Sequence, residues 1–375
     1  MTAAYLDPRS GATFPLDVPR WCGPGHAPLL LTTLLGIARG QIDRSTRSLW
    51  RYRAALPMQV ADPITMGEGC TPLLPRTLHG ASALLKCEWF MPTGSFKDRG
   101  ASVMLSLLRA QGVRAVLEDS SGNGGAAVAA YAAAGGLQAT IMAPASTSPA
   151  KTVQMRAHGA AVELIPGSRQ DTADAAVSRS ETVFYASHNW QPFFIEGTKT
   201  LAFELLEQLG FTVPDNILVP TGYGSNILGL DRGFDELRIR SEIDHMPRLF
   251  AVQAANCAAF AASWRAGKEA YVPFTAAPTM ADGIATMKPI RIAEVLTAVQ
   301  RSGGRVVTVA EDEIAPALRR LGRLGLYVEP TAATVGVALS MLLADGTISP
   351  GETTVAVLTG HGLKASEKIG ELLGN

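Results

Sequence analysis

From residue 114 onward the chain repeats one pattern: a short apolar run, a Gly or Pro switch, then a longer segment with helical spacing. Residues 114–118 read as a strand, followed by a Gly-rich turn and an Ala-rich helix ending near Ala134. Strands are predicted at 139–143, 161–165 and 183–186, with helices at 149–157 and 172–180 between them. A second series follows a helix at 197–209, with strands at 217–220, 249–253, 306–309 and 354–358. Strands alternating with helices imply right-handed βαβ units and a mostly parallel sheet. The pattern therefore predicts an α/β protein of two lobes, the boundary falling near 190–200. We expect an N-terminal lobe at 60–195, a C-terminal lobe at 196–375, and an extension at 1–59 packing on the lobes, helical over 43–58.

A chain of 375 residues can bury two sizeable cores. Lys plus Arg and Asp plus Glu both number 33, so no charge excess marks a nucleic-acid or membrane surface. The longest apolar run, 29–38, is too short to span a bilayer and is interrupted by Thr32 and Thr33. No basic-then-apolar leader opens the sequence, which points to the cytoplasm. Cys22, Cys70, Cys87 and Cys257 show neither metal nor redox spacing, so no metal site is expected.

Four segments carry chemistry. Lys97 lies in Pro92-Thr93-Gly94-Ser95-Phe96-Lys97-Asp98-Arg99-Gly100, at the start of an apolar-periodic segment. A helix N-terminus and a flanking phenyl ring, Phe96, both disfavour the ammonium, and a partly neutral amine is what a Schiff base needs. By itself the motif fits equally an ordinary surface lysine paired with Asp98. Ser120-Ser121-Gly122-Asn123-Gly124-Gly125 follows a strand and precedes a helix, where open α/β sheets bind ligands. Asn123 offers a donor and an acceptor to a planar ligand, or simply takes a left-handed turn conformation. Thr221-Gly222-Tyr223-Gly224-Ser225-Asn226 repeats that placement, its Gly222 through Asn226 suiting one phosphate at a helix N-terminus. Ile227 stands where a dinucleotide fingerprint wants glycine, and no Gly-Lys-Ser/Thr follows for a P-loop. Leu358-Thr359-Gly360-His361-Gly362-Leu363-Lys364 ends the last strand, with the Thr359 hydroxyl facing the crevice and His361 as a hydrogen-bonding spacer. One activated lysine, one phosphate cup, one ring-facing amide and one hydroxyl together describe pyridoxal phosphate.

These motifs, with Glu196-Gly197-Thr198-Lys199-Thr200-Leu201-Ala202-Phe203-Glu204 and Glu329-Pro330, resemble threonine synthase and its relatives among the fold type II pyridoxal-phosphate enzymes. The resemblance runs from about residue 65 to 368. It implies two three-layer αβα lobes with mostly parallel sheets, pyridoxal phosphate in the cleft between them, and a homodimer. It further implies that Lys97 holds the internal aldimine and that Asn123 bonds the cofactor's phenolic oxygen. Gly222, Tyr223, Gly224, Ser225 and Asn226 would hold the phosphate, Thr359 would face the ring nitrogen, and Phe96 would line the site. Ser120, Ser121, Gly124 and Lys151 would meet the substrate, a small amino acid. The implied reaction is a lyase step, O-phosphohomoserine and water giving threonine and phosphate. At the N-terminus, residues 5–16 and 21–31 resemble a short metal ribbon, but Asp7 and Ser10 stand at its Cys-x-x-Cys positions.

The chain departs from that pattern at two places. Gly124 replaces a hydroxyl residue and Phe194 falls where an arginine is usual, both positions associated with the substrate's phosphate. A phenyl ring cannot replace a bidentate arginine. Lys151, Arg156 and Lys199 are the remaining basic candidates. The departures keep open a paralogue that eliminates water from serine or threonine, or performs β-replacement. A non-catalytic carrier of the same cofactor is the alternative from another class.

Overall fold

A computed structural model describes residues 3–374. Strands β1 (Ala4–Leu6), β2 (Thr13–Pro15) and β3 (Leu30–Leu31) form an antiparallel sheet in the order β2-β1-β3. Residues 43–58 are not a helix. They hold a 3-10 turn at Leu49–Ala55, capped by Ser48, whose buried Leu49, Trp50, Tyr52 and Ala55 fit no α-helical stripe. The segment breaks at Tyr52, whose φ/ψ are not helical, and Trp50 is tied to a distant part of the chain through its Nε1–H, which donates to Ser102 Oγ at 2.9 Å.

Strands β4 (Leu73–Leu78) and β5 (Ala81–Cys87) form a hairpin closed by His79 and Gly80, both with positive φ. Such two-residue turns match the right-handed twist of the strands. The alternation predicted from sequence then begins. It runs α1 (Lys97–Ala110), β6 (Ala115–Glu118), α2 (Asn123–Gly135), β7 (Gln138–Pro144), α3 (Pro149–Ala157), β8 (Ala161–Ile165), α4 (Arg169–Arg179) and β9 (Phe184–Tyr185). The helix expected at 197–209 is two helices, α5 (Pro192–Thr198) and α6 (Thr200–Gln208), interrupted at Lys199. Next come β10 (Asn216–Pro220), α7 (Ser225–Ile239), β11 (Arg248–Ala254), α8 (Ala259–Arg265), α9 (Ile292–Arg301) and β12 (Val306–Val309). The chain closes with α10 (Glu311–Arg323), α11 (Pro330–Ala344), β13 (Thr354–Leu358) and α12 (Ser366–Leu373).

Two compact units result. The first takes the residues up to Gly69 together with Lys97–Thr200, and the second takes Cys70–Phe96 with everything from Leu201 on. The first unit holds a parallel sheet ordered β8-β7-β6-β9. Alternate residues of its strands enter different cores. Val116 and Ile141 pack with Met104, Leu108 and Val128 of α1 and α2, whereas Leu117 and Met142 pack with Ala176 of α4. That two-residue alternation places a helical layer on each face. Tyr5, Leu29, Leu49, Trp50 and Ile64 belong to the same core as α1, so residues 3–69 share the core of the first unit.

The second unit carries a six-stranded sheet, β12-β11-β10-β13-β5-β4, parallel except for the β4–β5 hairpin. Here the structure departs from the lobe assigned as 60–195. β5 pairs in parallel with β13 through Leu84–Cys87 opposite Val355–Leu358, so the segment 70–96 belongs with the C-terminal sheet. Leu218, Phe250, Val252 and Ala356 face a core with Ala332, Val335 and Leu339 of α11. Their neighbours Ile217, Val219, Leu249, Ala251, Val355 and Val357 are equally buried, with α7 and α9 against β11. Among the described residues no helix is long and apolar enough to cross a membrane.

Candidate active site

Each unit carries its own half of the predicted site. In the first unit Lys97 is half-buried and opens α1. Its Nζ lies 5.6 Å from the centroid of the Phe194 ring. Phe194 is fully buried, and a Cβ at Gly100 would run into the ring, so glycine one turn along α1 is what lets α5 lie there. Asn123 opens α2 behind Gly122, which offers no side-chain cap to the helix start. Ser120 is buried and Ser121 half-buried in the turn before it. Lys151 and Arg156 lie exposed on α3. Lys199 is not an available cation: it is fully buried and ion-paired with Glu196.

Behind that turn sits a group the sequence reading did not single out. Glu118, the last residue of β6, and His188, just past β9, are both buried. The His188 N–H donates to Glu118 Oε2 at 3.0 Å, and Nδ1 lies 3.0 and 3.1 Å from the two carboxyl oxygens. Asp119 accepts from Tyr185 Oη at 2.7 Å and from Ser187 Oγ at 3.1 Å. Burial pushes the Glu118 carboxyl up to about 7, against smaller opposing effects of the His188 N–H and the Lys97 charge. Burial, then the Lys97 charge, holds His188 well below its usual range, so the imidazole is neutral. The available sequence signal was positional: both residues sit at the carboxyl ends of adjacent parallel strands.

The second unit holds the cup. Gly224 has φ +90°, a left-handed conformation in which a Cβ would also strike Val295. A Cβ at Gly222 would come within 3.1 Å of Ile284 Cα and Thr286 Oγ1. Ser225 and Asn226 begin α7, which has no side-chain N-cap. Asn226 is buried, and neither its Nδ2 nor its Oδ1 has a hydrogen-bond partner among the described residues. A buried amide with both ends unsatisfied is costly, so the cup fits a polar group such as a phosphate. Tyr223 lies half-buried between the two glycines.

Thr359 follows β13 in the same unit and is buried. Its Oγ1 donates to Glu329 Oε1 at 3.4 Å, and the Glu329 N–H donates to Gly360 O at 3.0 Å. The Thr359 carbonyl accepts from the Phe96 N–H at 3.0 Å, while Gly94 O accepts from the His361 N–H at 3.0 Å. The strap that ends one residue before Lys97 is therefore stitched to the Thr359 loop. The Nδ1 of His361 accepts from the Leu363 N–H at 3.0 Å, the spacer role expected of it.

A family model described as pyridoxal-phosphate dependent enzyme matches residues 64–360. The chain belongs to that family. It is 34% identical to a threonine synthase of Methanosarcina acetivorans over 330 residues, covering 86% of this chain and 81% of the relative. A threonine synthase of Methanocaldococcus jannaschii is 34% identical over 337 residues, covering 88% and 83%. Among solved structures, maize serine racemase superposes with a TM-score of 0.67 at 26% identity, covering 78% of this chain and 89% of that one. A threonine deaminase from T.th. gives a TM-score of 0.65 at 29% identity, covering 78% and 92%.

The protein is thus a fold type II pyridoxal-phosphate enzyme, a lyase by its relatives. Within the family pattern, Lys97, Asn123 and the Ser120 turn fall on the first unit, and residues 222–226 and Thr359 on the second. The ribbon-like N-terminus is a three-stranded sheet in which Ser10 Oγ donates to Asp7 Oδ2 at 2.7 Å. No group of three potential metal ligands occurs among the described residues.

Proposed function

We propose that this enzyme is a lyase of the threonine synthase type, converting O-phosphohomoserine and water to threonine and phosphate. The observation that carries the reading is the 34% identity to threonine synthases along 86% of the chain. Lys97 would carry the cofactor, and its amine would take the protons lost from the substrate's Cα and Cβ and return protons at Cγ and Cα, as phosphate leaves Cγ and the oxygen of water adds at Cβ. The chemistry contributed by pyridoxal phosphate when bound is an electron sink for the electrons released at those carbons. Asn226 and the N–H groups at the start of α7 would hold its phosphate, which would satisfy the orphaned amide. Asn123 would bond its phenolic oxygen, Thr359 would face its ring nitrogen, and Phe96 and Tyr223 would line the site. Ser120 and Ser121, with the N–H groups at the start of α2, take the substrate carboxylate. The Phe194 ring beside Lys97 helps to exclude water from the amine.

A second reading is favoured by one observation: an aromatic ring and a neutral imidazole stand beside Lys97 and Gly124, where the resemblance expects phosphate-binding groups. Elimination of water from serine or threonine, or β-replacement, needs no such anchor.

The test is product analysis with the holoenzyme. Release of phosphate and threonine from O-phosphohomoserine supports the first reading. Formation of pyruvate from serine or 2-oxobutanoate from threonine, without phosphate release, selects the second. Lys97→Ala is expected to lower either activity by about a thousandfold or more while leaving far-UV circular dichroism unchanged. Unaltered turnover in that variant would remove the lysine from the site.

A further inference from the structure

The buried His188–Glu118 pair is not used by any step above, yet it stands directly behind the turn assigned to the substrate. A Cβ built on Gly124 would lie 2.6 Å from both Cε1 and Nδ1 of His188 and 2.9 Å from Ser120 Oγ. The imidazole therefore occupies the volume that any larger residue at 124 would need. It also meets the Phe194 ring, at 5.6 Å between centroids and 60° between planes. Phe194 in turn carries the Lys97 Nζ over its face. Glu118 fixes the imidazole from two directions, through the His188 N–H and through Nδ1, and itself accepts from the Asp119 N–H at 3.0 Å. The ring is thus pinned at the junction of three elements: the end of β6, the segment after β9, and the start of α2.

We infer that His188, held by Glu118, is a positioning and specificity-determining residue of this half-site. It braces the 120–124 turn and the Phe194 ring from behind, so that what the turn accepts is set by the imidazole and not by a side chain at position 124. Glycine at 124 and histidine at 188 act as one unit: either the backbone approaches the ring, or a side chain displaces it. The inference rests on the reading of Lys97 and the Ser120 turn given above.

A double-mutant cycle tests it, with the holoenzyme, O-phosphohomoserine and serine as probes, steady-state kinetics, and the visible absorbance change on adding each amino acid. Gly124→Ala is expected to raise KM, or the half-saturation of the absorbance change, by about tenfold in the wild-type background. In a His188→Ala background the same alanine should cost less than about twofold, because the space has been opened. His188→Ala alone should raise KM about tenfold while kcat falls less than about threefold, and His188→Asn should recover part of that loss. Equal costs of Gly124→Ala in both backgrounds would overturn the inference, as would an unchanged KM in His188→Ala. If His188→Ala fails to fold, His188→Asn takes its place in the cycle. Persistence after Lys97→Ala of the wild-type absorbance band of the lysine-bound cofactor condemns the underlying reading instead, and leaves the Gly124–His188 coupling to be judged by the cycle itself.

Discussion

The chemistry of this protein concentrates in a few side chains whose surroundings change their ordinary behaviour. Glu118 is one of them, its carboxyl fully buried and shifted up to about 7 from 4.5. A carboxyl raised in the folded state contributes stability that is complete below its unfolded value and is lost as pH rises through the folded one. Replacing it by glutamine should therefore flatten the pH profile. Between pH 5 and pH 8 the stability of the wild type relative to Glu118→Gln is expected to fall by roughly 1–3 kcal/mol, read from urea denaturation at each pH. Asn226 makes a second prediction, because both polar atoms of its buried amide lack partners among the described residues. If it holds the cofactor phosphate, Asn226→Ala should weaken cofactor affinity by about 10- to 100-fold, measured by equilibrium titration of apoenzyme, with little change in thermal stability of the apo form. A lower melting temperature with unchanged affinity would make that asparagine a structural residue.

At the scale of elements, glycines decide how closely loops and helices approach. Gly224 combines a left-handed φ with contact against Val295 of α9, so it fixes the entry of α7. Gly224→Ala should cost about 2–4 kcal/mol in unfolding free energy and reduce cofactor affinity together with it, seen by denaturation and by titration of the same variant. Gly100 has the corresponding role in α1, where the Phe194 ring takes the place of a side chain. The helices α1 and α2 both begin at residues proposed to meet the cofactor, Lys97 and Asn123, which would put the positive ends of two helix dipoles beside it. These starts were readable because each follows a Gly or Ser turn and precedes an apolar run. The break between α5 and α6 was not readable. Residues 197–209 carry one continuous helical pattern, and the interruption falls at Lys199, which is fully buried and paired with Glu196 three residues before it; the burial that selects this pairing is not marked in the local pattern.

Over the whole molecule, the segment 70–96 leaves the N-terminal stretch of chain and joins the C-terminal sheet. Its attachment is polar as well as hydrogen-bonded through β5. Lys86, fully buried, pairs with Glu204 of α6 and donates to Thr71 O and Gln208 Oε1, both at 2.8 Å. Glu204 also accepts from the N–H groups of Cys70 and Thr71, each at 2.9 Å. Removing one partner of a buried pair leaves an uncompensated charge, so Lys86→Met should destabilise the protein by about 3–5 kcal/mol in urea denaturation. The Lys86→Met/Glu204→Leu double variant should recover only part of that loss, because it also takes the acceptor from the Cys70 and Thr71 N–H groups. The parallel α/β class and most strands and helices after residue 114 were legible in the chain, as were the segments proposed to bear the cofactor chemistry. Those features are local: apolar runs of strand length, glycine switches and helix starts are written in consecutive residues. Only the tertiary structure decided that 70–96 belongs to the second sheet, since an edge hairpin carries no mark of the strand it will pair with. Only the tertiary structure brought His188 and Glu118, 70 residues apart, to the back of Gly124. Close packing between distant segments depends on which side chains share a volume, and no single stretch of the chain encodes that.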